Sequence, residues 1–217
     1  MPMPEQLQHD VINYAERDLP LNEVNGGLFD FISDAHLAGR LMEEFKSARY
    51  LYKILEGLSA KDWLQRAQVR IQVLLYASIY EAVLHHVLFD RLRSDPRVEK
   101  LMKFDRLIKI SVPQAKQAAL DKHLSHDGKK IVPTYEGVGA NDETKVRFDA
   151  KAKCAAEIGI ITETLCAELI EIYEARNAIH LHAEIKKNLQ YELALSHRAY
   201  RRMLPFRDQV RDFLART

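Results

Sequence analysis

The stretch that most constrains the fold is "SAKDWLQRAQVRIQVLLYASIYEAVLHHVLFDRLRS", residues 59 to 94. Apolar side chains recur at three- and four-residue spacing for about thirty residues, a period that fits a helix and no strand. Ser59 reads as an N-cap with Asp62 at the N3 position. The centre, "IQVLLYASIYEAVLHHVLF", is apolar on nearly every side, so this helix is predicted to run through the middle of a bundle and be covered by several others. Ala77 and Ser78 leave room for a neighbouring helix to come close.

The remaining segments suit the same class. "EQLQHDVINYAERD" predicts a short first helix, followed by a loop with Pro20 and the "NGG" at 25 to 27. "FISDAHLAGRLMEEFKSARYLYKILEGL" predicts a second helix, with Leu41, Phe45, Ala48, Leu51, Tyr52 and Leu55 on one face and Gly57 ending it. Asp95-Pro96 opens a helix expected to run through "RVEKLMKFDRLI", with proline at its first position, and a weaker one follows in "PQAKQAALDKHL". Residues 125 to 143 hold three glycines, one proline and six charges, and read as an exposed loop. A helix over 144 to 161 ends at Gly159, and Thr162 caps another that runs into "EARNAIHLHAEI". "AEIKKNLQYELALSHRAYRRML" predicts a last long amphipathic helix, interrupted by Pro205. No stretch alternates Val, Ile and Thr as a sheet would, so the chain is predicted to be all-α. Residues 1–58 form an N-terminal helical extension packed on a bundle of residues 59–217.

Lys and Arg number 32 against 31 for Asp and Glu, giving a net charge of +1 and no general pull toward nucleic acid. The most basic tract is residues 197–217, with six arginines in 21 residues. Cys154 and Cys166, twelve apart on expected helix, lie too far from each other to bridge within it, which suits a reducing compartment. With no charged-then-apolar leader and no uninterrupted apolar run of membrane-spanning length, a soluble cytoplasmic protein that engages no membrane is expected.

"EARNAIHLHAEI", residues 174 to 185, breaks the helical pattern. Leu165, Leu169, Ile172, Tyr173, Arg176, Ile179 and His180 share the three-and-four spacing of one face, so Arg176 and His180 stand where buried leucines are expected. Such violations gather at functional sites. His182 points away from Arg176 while the helix persists and swings back if it ends near Leu181. The structural alternative is an Arg/His pair that satisfies a glutamate on a neighbouring helix. His-x-His at 180 to 182 has no accompanying Cys or carboxylate cluster, so no metal site is expected. "YEGVG" at 135 to 139 is no phosphate-cradling loop.

"LCAELIEIYEARNAIHLH", preceded by "KCAAEIGIIT", resembles the signature region of HEPN domains, small α-helical domains of prokaryotic defence and toxin systems. In that family an arginine, usually followed by a polar residue such as asparagine, is separated by four to six intervening residues from a histidine near a helix end. Arg176 and Asn177 fit the first half; His182 has the family spacing, whereas His180 falls one short. The resemblance spans about residues 60 to 200 and implies an up-and-down helical bundle with an extra N-terminal helical segment.

The resemblance further implies a metal-independent endoribonuclease without cofactor, in which two copies of the domain face one cleft as a homodimer. Arg176 would stabilise charge building on the phosphate, His180 or His182 would move protons, and Asn177 would orient the phosphate or the helix end. Glu81 would face the same cleft or be the buried partner of Arg176, with His85, four residues on, as the next candidate. RNA is the expected substrate, and an antitoxin or defence protein an expected partner. A non-catalytic HEPN-like module that binds RNA or protein is the alternative.

Overall fold

A computed structural model describes residues 2–17, 27–123 and 125–216. Pro20, Asn25 and Gly26 of the expected first loop lie outside these. The protein is mostly helical, and the chain divides into two compact units, residues 1–93 with 147–217 and residues 94–146.

The larger unit is built on the predicted central helix. α1 spans Glu5–Arg17, α2 Ala35–Gly57 and α3 Asp62–His85, after which the chain continues through a wider π-helical turn, His86–Arg91. α3 buries Val69, Val73, Tyr76, Ala77, Ile79, Tyr80, Val83 and Leu84, an apolar surface too wide for one neighbour. It packs against α2, against α6 (Phe148–Ile158), against α7 (Glu163–Asn177) and against α9 (Leu193–Arg201). From Asp62 to Arg91 this is one helix long and apolar enough to cross a membrane, yet 61% of its most apolar stretch is buried inside the protein. That burial is the condition of a bundle-core helix.

Aromatic side chains fill the seams. The rings of Phe45 and Tyr76 meet edge-on at 6.4 Å, Phe45 stacks on Tyr200 at 6.2 Å, and Tyr80 meets Phe206 of α10 (Met203–Leu214) edge-on at 5.0 Å. The Tyr80 hydroxyl donates to the Ala199 carbonyl at 2.5 Å. That carbonyl belongs to the last turn of α9 and has no helical partner of its own, so the bond satisfies two buried polar groups at once. Phe45 and Ala48 of α2 therefore share one core with α3 and the C-terminal helices.

Local signals place most boundaries. Asp34 caps α2, accepting from the His36 and Leu37 amides, and Gly57 is its last residue. Gly159 adopts φ 89° after α6, a left-handed conformation that glycine takes without strain, and Thr162 accepts from Leu165 to start α7. Ser59 does not cap α3: it sits at φ 48° in the turn closing α2, and α3 begins three residues later at Asp62 with no side-chain cap.

The expected long C-terminal helix is three pieces. α8 covers Leu181–Lys187, and Asn188 ends it in the left-handed region at φ 48°. α9 follows, and the step to α10 falls at Arg202 rather than at Pro205. The physical reason is that Pro205 lacks the N–H that would bond to the Arg201 carbonyl, so the break opens N-terminal to the proline, which then sits in the first turn of α10.

The smaller unit departs most from expectation. α4 stops at Leu101, after Asp95 caps it by accepting from the Arg97 amide, and Lys103–Lys109 forms strand β1 where helix was expected. α5 covers Gln114–His123. Residues 125 to 143, read as a loop, contain β2 (Ser125–His126), β3 (Lys129–Lys130) and β4 (Thr134–Ala140). β2 and β3 pair with each other across a turn at Asp127 and Gly128, while β1 pairs antiparallel with β4, Lys103 opposite Ala140 and Lys109 opposite Thr134. Gly137 and Gly139 of β4 leave room for side chains of β1, since a Cβ at either would lie 2.5 Å from the tip of Ile108 or of the Phe104 ring and make that side chain shift.

Candidate functional site

α7 ends at Asn177, three residues before His180. Arg176 and His180 thus do not share a helical face. His180 instead occupies the N-cap position of α8, and His182 lies in its first turn; both side chains are exposed, and neither hydrogen-bonds to Arg176.

The reason for the break is tertiary. Arg70 of α3 donates to the Ile179 carbonyl and pairs with Glu184 of α8 at 2.9 Å, while its guanidinium lies 5.4 Å from the Tyr191 ring centre. The Tyr191 hydroxyl donates to the Ala175 carbonyl at 2.8 Å. The Ala175 carbonyl in the last turn of α7, which also accepts from the Ala178 amide, and the Ile179 carbonyl just beyond the helix thereby gain partners from elsewhere in the bundle, with a cation near the negative end of the helix. Burial, with the Glu184 carboxylate beside it, pushes the Tyr191 hydroxyl pKa up.

Behind this junction runs a polar chain inside the bundle. The Tyr173 hydroxyl donates to Glu81 Oε2 at 2.8 Å, and Arg176 Nη1 donates to the same hydroxyl at 3.4 Å and to Asn177 Oδ1 at 3.1 Å. Lys151 of α6, 2% exposed, lies with Nζ 3.6 Å from Glu81 Oε1 and 3.3 Å from His85 Nδ1. Tyr173 stacks on Phe148 at 4.2 Å between ring centres, and the Arg176 guanidinium lies 5.0 Å from the Tyr173 ring centre. Arg176 Nε is buried without a hydrogen-bond partner. Loss of solvent, and then the Glu81 carboxylate, push the Tyr173 hydroxyl up to about 12.

Of the sequence-derived site residues, then, Glu81, His85, Arg176 and Asn177 fall along one chain of polar contacts, whereas His180 and His182 stand on the exposed turn that follows it. Glu81 meets Arg176 through Tyr173 rather than directly. The sequence reading missed Lys151, Tyr173 as the bridge, and Arg70. A signal for Lys151 was present: Phe148, Lys151, Ala152 and Ala155 share the buried face of α6, so the lysine stands on an apolar stripe just as Arg176 does.

No family model matches the chain, nor does any curated protein or solved structure.

The arrangement offers fixed chemistry and displayed chemistry. A guanidinium held against an aromatic ring keeps donors in a set direction for an anion. Two exposed imidazoles, His180 and His182, follow on the next turn, and this side chain can act as acid or base in catalysis. Among the described residues, no group of three or more His, Cys, Asp or Glu side chains is placed to hold a metal ion. Cys154 and Cys166 are both buried and are not joined in a disulfide. The basic C-terminal tract is largely neutralised: Arg198 pairs with Glu171 at 3.0 Å, Arg202 with Glu168 at 2.5 Å, and Arg207 and Arg211 with Asp208 at 2.7 and 3.3 Å.

Proposed function

We propose that this chain is a HEPN-type, metal-independent endoribonuclease of a defence or toxin–antitoxin system in the cytoplasm, working as a homodimer whose two Arg/His sets share one cleft. The observation that carries the reading is the junction after α7: Arg176 is held through Tyr173 to Glu81 of the central helix, and His180 and His182 follow on an exposed turn. One histidine takes the proton from a ribose 2′-OH. The 2′-oxygen attacks the adjacent phosphorus, Arg176 balances the charge on the phosphoryl oxygens, and an imidazolium protonates the departing 5′-oxygen. The products are a 2′,3′-cyclic phosphate and a 5′-hydroxyl, with no redox change and no metal. Attack and departure both need a proton carrier, which is why one Arg/His set serves poorly and two serve well.

The purified chain is expected to cut single-stranded RNA in EDTA, leaving cyclic-phosphate ends. Arg176→Ala should reduce the rate by about 10²–10³, the scale of losing one preorganised charge donor. His180→Ala and His182→Ala, made separately, identify the proton carrier. Cleavage unchanged in Arg176→Ala, or no cleavage by the wild-type chain across a broad RNA panel, would end the catalytic reading.

One observation favours a non-catalytic RNA- or protein-binding module instead: Arg176 already spends donors on Tyr173 and Asn177. RNA retained on the chain, weakened by Arg176→Ala and never cleaved, is the result that reading expects.

A further inference from the structure

We infer that the free edge of β1 is a pairing surface for a second copy of this chain, the two ribbons joining as a four-stranded antiparallel sheet across a two-fold axis at Leu107. The inference is independent of the ribonuclease reading. It starts from the hydrogen-bond pattern of the ribbon. The Ile110 amide donates to the Pro133 carbonyl at 3.0 Å and the Asn141 amide to the Met102 carbonyl at 2.7 Å, both in the β1–β4 register. Even-numbered residues of β1 therefore bond inward to β4, and Lys103, Asp105, Leu107 and Lys109 turn their N–H and C=O groups to the other edge. Among the described residues no strand takes up that edge.

Side chains make the edge worth covering. Every residue of β1 is exposed apart from half-buried Ile108, with Leu107 68% exposed and Val138, its diagonal neighbour on β4, 63% exposed. A two-stranded ribbon is marginal alone, whereas more strands sharing an apolar face are stable. β1 is the better edge, since it holds neither Gly nor Pro, whereas β4 follows Pro133 and contains Gly137 and Gly139.

Charge selects the occupant and the register. A two-fold axis normal to the sheet makes the strands antiparallel and sets like residue against like at its centre. Centring on Asp105 opposes two aspartates, on Arg106 two arginines with Lys103 against Lys109, and on Lys109 two lysines. Centring on Phe104 overlaps few residues, and centring on Ile108 sets Leu107 against Lys109. Centring on Leu107 opposes leucine to leucine and sets Asp105 against Lys109 of the second copy, twice by symmetry. It also lines up Val138, Leu107 and their two counterparts as one apolar row, so β1 is complementary to itself in this register.

The test is sedimentation of the full chain over a concentration series, with circular dichroism and thermal unfolding as checks on the fold. Wild type should associate to a dimer. Lys109→Asp should raise the dimer dissociation constant roughly tenfold or more, because the symmetry makes each change count twice, and Asp105→Lys with Lys109→Asp should restore it. Leu107→Cys should cross-link under mild oxidation, since facing residues of a hydrogen-bonded pair lie about 5.5 Å apart at Cα, within disulfide range. Asp105→Cys, placed opposite lysine, should not. A monomeric wild type, a dimer indifferent to Lys109→Asp, or no cross-link at Leu107 in the folded variant would each overturn the inference.

Discussion

Tyr173 joins the two charges that matter most inside the bundle. Its ring is held by stacking on Phe148, and its hydroxyl accepts from Arg176 while donating to Glu81. Tyr173→Phe keeps the stacking and removes both bonds. A bond to a carboxylate contributes about 1.5–3 kcal/mol, and because Glu81 is 29% exposed the low end applies. The expected loss in Tm is about 3–6 °C for a chain of this size. The pH dependence has a definite sign. Folding raises the hydroxyl from its ordinary value near 10 to about 12, so the neutral form is favoured in the folded protein. Its stabilising effect is fully present below about pH 10 and is lost as pH rises toward 12. Urea unfolding of wild type and Tyr173→Phe should therefore differ by a constant amount up to about pH 9, and the gap should narrow above pH 10. A gap that stays constant to pH 11 and beyond would show that the hydroxyl is not held by Glu81.

Among the elements, α3 and the α7–α8 junction show what the sequence could and could not reveal. The run from Trp63 to Phe89 repeats one periodic signal over about seven turns, and no local competitor disturbs it, so the central helix and the mostly helical class are readable directly. The end of α7 is not. Arg176 to His182 carries no glycine or proline, and the break depends on Arg70, more than a hundred positions away, reaching the Ile179 carbonyl. β1 was misread for a related reason. "KFDRLIK" has no clean alternation, and its strand partner lies about thirty residues on, behind α5 and a separate hairpin. Lys151 stands on an apolar stripe as Arg176 does, among Phe148, Ala152 and Ala155, so its burial is legible from the same pattern. If Arg70 holds the junction, Arg70→Met keeps the apolar stem but leaves Glu184, 8% exposed, without its cation. The expected cost is about 2 kcal/mol, less than for a fully buried pair because Arg70 is 29% exposed. Hydrogen exchange should quicken at residues 178–187 while the centre of α3 stays protected. Equal quickening in both places would mean that Arg70 supports the whole bundle and not this turn.

At the scale of the whole molecule, the division into two units makes a claim about folding. The larger unit carries the aromatic core around α3, the polar chain from Arg176 to His85, and both exposed histidines. The smaller unit is inserted between Arg93 and Arg147. Lys151 touches His85, a contact between the two chain segments that lead into and out of the smaller unit. Arg93 lies eight residues past His85 and Arg147 four before Lys151. A flexible linker of ten Gly/Ser residues reaches about 17 Å. Replacing residues 95–145 with such a linker should leave a helical protein that unfolds cooperatively, with Tm within a few degrees of the full chain. The Tyr173–Glu81–Lys151 contacts survive the deletion, so the alkaline signature of Tyr173 should survive as well. Association through β1 should vanish, because its only surface is gone. If the shortened chain is instead molten, with helical circular dichroism but no cooperative transition, the insert is part of the bundle's folding and the two units are one cooperative structure.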